Sequence, residues 1–324
     1  MLYLYLMREG QFIKRNIDRW KRYQQPADDP DEVAKRFMNL VDDLSYAKTF
    51  YPFSNTVRYI NSLAANIFLS IFRNRKEQKN RIVHFFAEDL PLTVGKHHKT
   101  LLFTFLLFIV FCLIGAFSAM QEQTFVRAIL GDGYVDMTER NIANGDPFGV
   151  YKDSNEFFMF VRIAFNNIRV AFYCFVLGIT LGIGTIYMMF QNGLMLGVFE
   201  YLFFHHGLGL QSIMVIFIHG TLEISAIVIA GAAGLIIGKS ILFPGTFTRI
   251  QSVMQGAKDA VKIIVSLVPI FITAAIFESY VTRYTGMPAW LSISILAGSL
   301  AFILWYYVFY PLSLNKRLKK EHDA

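Results

Sequence analysis

Two hydrophobic patterns divide this chain. Over residues 1–99 apolar positions recur three and four apart in polar surroundings, as on the buried face of an amphipathic helix. In DDPDEVAKRFMNLVDDL, Asp29 suits an N-cap and Pro30 the first helical position. Glu32 falls at the third, where it can bond back to the cap. Phe37, Leu40, Val41 and Leu44 then form the stripe. A second such helix carries Val57, Ile60, Leu63, Ala64, Ile67, Phe68 and Ile71 on its apolar face, and the basic segment RNRKEQKNR follows it. From residue 100 the pattern changes to long apolar runs, each enough for the roughly 20 helical residues that cross a bilayer. The first is LLFTFLLFIVFCLIGAFSAM, residues 101–120, and others cover 167–190, 193–217, 220–242, 260–282 and 289–312. FFHHGLG interrupts the 193–217 run near Gly207, so that run reads either as one broken span or as two half-helices. The predicted fold is all-α: a polytopic membrane helix bundle of about six spans behind an amino-terminal cytoplasmic helical domain. Its domains are the helical domain at 1–99, the transmembrane domain at 100–314 with an acidic outer loop near 121–160, and a basic tail at 315–324.

Charge supplies the orientation. Only 17% of residues are charged, against about a quarter in soluble proteins. Residues 1–99 hold 17 Lys/Arg and 11 Asp/Glu, whereas residues 121–160 hold seven acids and three bases. The positive-inside rule therefore places the amino terminus in the cytoplasm and the 121–160 loop outside. Lys239, Arg249, Lys258 and Lys262 mark a further cytoplasmic loop, and NKRLKK a cytoplasmic carboxyl terminus. A multi-pass protein of the inner (plasma) membrane is expected, its basic amino-terminal residues near anionic lipid and not on nucleic acid. Cys112 and Cys174 lie within apolar runs and predict no disulfide framework. MLYLYLMREGQFIKR has apolar residues ahead of basic ones, the reverse of a secretory leader, and Met7 is an alternative start.

Against this apolar background HGTLEISAIVIAGAAGLIIG, residues 219–238, is unusual in opening on a histidine with a glutamate one turn later. His219 and Glu223 share a helix face, and Ala226, Ala230, Gly234 and Gly238 continue it with small residues that let another backbone approach. An ionised glutamate at depth weakens insertion by about 2–3 kcal/mol, so Glu223 should face protein. Two readings stay open: an interhelical hydrogen bond that fixes packing, or a proton or ligand site. Asn167, Ala171, Cys174, Gly178 and Gly182 form a matching stripe, and QNGLMLG adds Asn192, Gly193 and Gly197. Glu200, His205, His206, His219 and Glu223 raise the question of zinc, which takes His and carboxylate ligands. They form no HExxH and straddle the interruption, so neither metal nor cofactor is expected. GxSxG and phosphate-loop motifs are missing too, so the chain reads as non-enzymatic.

FNNIRVAFYCFVLGITLGIGTIYMMFQNGLMLG, followed by HGTLEISAIVIAGAAGLIIG, resembles the stage II sporulation protein M family. The likeness rests on Asn166 or Asn167, Gly178, Gly182, Asn192, Gly193, Gly197, His219, Gly220, Glu223, Ala230, Gly231, Gly234 and Gly238. RNIDRWKRYQQ and DDLSYAKTFYP fit the helical segment that longer members place before the first span. Ile218 departs from the proline that many members place before the His-Gly pair. The resemblance implies a membrane scaffold or assembly factor for cell-envelope proteins, peptidoglycan-remodelling enzymes among them; the small-residue stripes themselves suit either packing within the chain or a second copy of it. It supplies no catalytic residue. The competing expectation is a transporter or channel for a small solute or lipid, with His219 and Glu223 in a proton-coupled site.

Overall fold

The computed structural model describes residues 7–25, 27, 29–73, 80–151, 155–284 and 286–323, and all the regular structure in them is helical. The chain divides into two compact units, Met1–Arg81 and Ile82–Ala324.

The first unit is built from α1 (Glu9–Tyr23), α2 (Pro30–Phe50) and α3 (Asn55–Arg73). Phe12 and Trp20 of α1 are buried against Leu40 and Ala47 of α2 and against Ile60, Leu63, Ala64 and Ile67 of α3. Asp43 ties α1 to α2, accepting hydrogen bonds from Trp20 Nε1 at 2.7 Å and Arg19 at 2.6 Å. Asp29 caps α2 by accepting from the Asp31 N–H, with Pro30 behind it. Glu32 does not bond back to the cap; it pairs with Arg36 at 2.9 Å, one turn on, where a guanidinium competes successfully with a backbone N–H. Val41 and Phe68, predicted on the apolar stripes, are 39% and 45% exposed. The Ile71 side chain lies outside the described residues, as does most of the basic segment that follows α3.

The second unit opens on α4 (Arg81–His84), which runs through a π-helical turn at Phe85–Asp89 into α5 (Leu90–Lys96). Residues 82–97 belong to this unit: Tyr306 and Tyr310 donate to the Phe86 and Ala87 carbonyls, and Lys96 and His97 both reach Asp259. α6 (His98–Gln121) follows, then two short helices, α7 (Gln123–Leu130) and α8 (Asp132–Ala143). The acidic stretch is thus largely helical. Val126 and Val135 bury it against Ala119, Val198 and Leu202, and Arg127 gathers its acids, at 2.6 Å from Asp136 and 3.3 Å from Glu139.

The long helices are α9 (Glu156–Val176, extended by a 3-10 turn to Ile179), α10 (Ile183–His205), α11 (Gly209–Leu242), α12 (Arg249–Ile276, extended by a π turn to Val281) and α13 (Ala289–Leu304). A further π turn leads from α13 into α14 (Tyr310–Asp323). Five of these stretches, beginning at His98, Glu156, Gly209, Arg249 and Ala289, are long and apolar enough to cross a membrane. α10 is comparable in length but carries Gln191, Asn192 and Glu200. The chain is an all-α membrane protein whose α6 faces outward with Leu102, Phe103, Phe105, Leu106, Leu113 and Phe117.

Two boundaries differ from the sequence reading. The run at 167–190 is not one helix: Leu181 and Gly182 adopt φ of 60° and 86°, left-handed values that end a right-handed helix. Thr180 stabilises the restart, its hydroxyl accepting from the Gly184 N–H at 2.8 Å. The GITLGIG glycines therefore shape a turn as well as a packing face. The interruption at Gly207 separates two full helices. Gly207 has φ 75°, its N–H bonds to Phe204 and the Leu208 N–H to Phe203, closing α10 with a Schellman motif. The 193–217 run thus holds the end of α10 and the start of α11.

α11 is the hub. It packs against α6, α9, α10, α12 and α13. Ala226, Ala230, Ala233 and Ile236 on it meet Ile263, Leu267, Phe271 and Ala274 of α12 in one core.

Candidate functional site

The polar end of α11 projects His219 and Glu223 from neighbouring turns of one face. Two further elements close on that face. α9 runs parallel to α11, so its Asn167 stands level with Glu223 and donates a side-chain hydrogen bond to it. Asn167 is oriented in turn by Asn166, whose amide donates to Asn167 Oδ1 at 3.3 Å. The π turn ending α12 runs antiparallel to α11 and brings up Glu278, Ser279 and Thr282. His219 Nε2 is 3.9 Å from Glu278 Oε2, and His219 Nδ1 is 3.1 Å from Thr282 Oγ1. Donor-capable atoms of His219, Glu223 and Glu278 all lie within 4.8 Å of one another.

The π turn sets this geometry. Its wide winding directs the Thr282 N–H to the Phe277 carbonyl at 2.8 Å, and the Thr282 hydroxyl donates to the same carbonyl at 3.1 Å. Oγ1 of Thr282 thus stands between the Phe277 carbonyl and His219 Nδ1. His219 is 4% exposed, and the Ser279 hydroxyl, fully buried, has no hydrogen-bond partner among the described residues. Arg283 pairs with Glu156 at 3.3 Å, joining the π turn to the start of α9. α8 approaches from outside the spans. Its Tyr134 phenol is pushed up to about 12, chiefly by burial and further by the Glu278 carboxylate, while a hydrogen bond with Thr138 opposes the shift. A cavity of about 460 Å³ adjoins the group, lined among others by Gln211, Met214, Ile218, Thr282, Met287 and Ser292.

Not every polar residue singled out in the sequence joins this group. Asn192 donates to the Met188 carbonyl on its own helix, and Glu200 accepts from Ser212 at 3.2 Å. His206 bonds to the Leu202 carbonyl and His205 stacks on Tyr201. Glu278, Ser279 and Thr282 were missed. The signal for them was an acid inside the apolar run IFITAAIFESYVT, with a threonine four residues on.

The small residues pack in two sets. Gly178 lies against the Gly234 backbone, Gly234 against the Cys174 carbonyl and Gly238 against Gly182, which lays the end of α9 and the turn after it along α11 in parallel. Gly193 and Gly197 instead meet Phe111 and Cys112 of α6, with Gly115 against Leu194. Ala226 and Ala230 are fully buried in the α11 core. Both cysteines are free thiols.

Chemically, the group offers an imidazole and two carboxylates in a water-poor interior, suited to holding a cation or passing a proton. A family model described as Stage II sporulation protein M matches residues 104–283, and one described as a domain of unknown function (DUF8413) matches residues 10–73. No curated protein and no solved structure matches the chain.

Proposed function

Because the chain belongs to the stage II sporulation protein M family, we propose that it is a non-enzymatic scaffold of the inner (plasma) membrane that assembles cell-envelope proteins. The observation that carries this reading is the glycine contact between α9 and α11, backbone against backbone at Gly178 and Gly234, which packs the hub closely. A closely packed hub suits a protein that holds others in register. The α7–α8 pair offers partners an ordered acidic surface with Asp132, Asp136 and Glu139, and the three-helix amino-terminal unit offers another. The lysine and arginine distribution supports both termini in the cytoplasm and α7–α8 outside. Envelope enzymes that remodel peptidoglycan, and further copies of this chain, are the partners in view.

Affinity capture from native membranes after mild crosslinking tests this, with wild type beside Gly234→Leu and Glu223→Ala. Wild type should recover envelope proteins in fixed ratio, and the variants should lose them. Recovery of wild-type chain alone would count against a scaffold.

The His219–Glu223–Glu278 group beside a cavity supports a second reading, a proton-coupled transporter. That reading requires pH-driven flux by the pure protein in liposomes, and its loss in Glu223→Gln.

A further inference from the structure

We propose that His219, Glu223 and Glu278 form a binding site for a divalent metal ion of the zinc class, which fastens α11 to the π turn after α12. The donor set is the first reason. One imidazole and two carboxylates, drawn from α11 and from the π turn, have donor atoms within 4.8 Å of one another. Zinc bonds nitrogen and oxygen ligands at about 2.0–2.2 Å, which places neighbouring donors roughly 3–4 Å apart. Three protein ligands also leave a fourth position for water.

The orientation of the histidine is the second and independent reason. His219 Nδ1 lies 3.1 Å from Thr282 Oγ1, a contact that orients the ring. Nε2 is then the nitrogen on the Glu278 side, 3.9 Å from Oε2. Metal-binding histidines are held this way, one nitrogen fixed by an outer hydrogen bond and the other left to the ion. Asn167 plays the same outer role for Glu223. The two carboxylates repel each other. A dication between them relieves that repulsion. The unpartnered Ser279 hydroxyl in the same turn is a further polar group in that interior.

This inference is independent of the scaffold reading, and the experiment keeps them apart because it needs no partner and no flux. The full chain, purified in lipid nanodiscs and stripped with a chelator, is loaded with zinc chloride, desalted and analysed for metal. Wild type should retain one zinc per chain. Glu278→Gln and His219→Ala should lose it, whereas Glu200→Gln, altered at a glutamate elsewhere in the bundle, should keep it. Thr282→Val leaves every ligand in place and should weaken zinc binding at least about tenfold. Cobalt(II) added to stripped wild type should give the visible bands of a low-coordinate nitrogen–oxygen site, a readout independent of how any variant folds. Stripped wild type that retains no zinc and gives no cobalt bands overturns the proposal, as does equal zinc retention by wild type, Glu278→Gln and Thr282→Val.

Discussion

A methyl group added at Gly178 would strike the Gly234 carbonyl, and one at Gly234 would strike that of Cys174. Backbone cannot yield as a flexible side chain does, so either alanine must push α9 from α11. Gly234→Ala should cost about 1–3 kcal/mol, the range of an overpacked core, seen as a lower melting temperature in detergent. Gly298→Ala, inside α13 with nothing within 4 Å, should not lower melting and by helix propensity should raise it slightly. Asn167 tests a different force. Replacing it with leucine removes the donor to the buried Glu223 carboxylate and should cost about 1–3 kcal/mol. An unaltered melting curve would show that Glu223 does not depend on that bond. The glycines and Asn167 could be read from the sequence because small residues at four-residue spacing imply close helices. Glu278 stands out only as a lone acid in an apolar run, with no periodic pattern to say which helix it meets, because its neighbours come from far along the chain.

The long helices are predictable as elements, but their ends are not. Hydropathy finds apolar runs and is blind to φ, so the reversal at Leu181–Gly182 passes unnoticed within a continuously apolar stretch, while FFHHGLG, which interrupts an apolar run, is the cap that ends one full helix before another begins. Gly207 makes the point testable. No atom crowds it, so substitution there is felt only through its positive φ. Gly207→Ala should destabilise the bundle by about 1–2 kcal/mol, and Gly207→Asn by less, since asparagine tolerates left-handed backbone. Ile218 is the element-scale counterpart. It lets α11 run unbroken through His219, where a proline would remove a helical hydrogen bond and bend the helix.

At the scale of the whole molecule, acid acts on the first unit through Glu9. Ser54 and then Thr56 donate to Glu9 and hold its carboxyl below its usual range, tying α1 to the start of α3. A folded value below the free one favours the folded unit fully above the ordinary glutamate range, about 4.3, and the benefit fades as pH falls through the lowered folded value. With Trp290 and Trp305 replaced by phenylalanine, Trp20 fluorescence reports this unit. Ser54→Ala with Thr56→Ala should flatten its acid dependence below that range, and an unchanged profile would remove Glu9 from the account.

The length of α11 gives the surrounding lipid a part in the chemistry. Its 34 residues extend about 50 Å, against a hydrocarbon layer of about 30 Å, and the mismatch is taken up by tilting or by projection past the acyl chains. His219 stands ten residues from Gly209, about 15 Å along the axis. Longer acyl chains would draw His219 and its carboxylate neighbours further from water, and shorter ones would bring them toward the headgroups, where ions arrive freely. Bilayer thickness then acts as a rheostat on how readily the group exchanges what it holds.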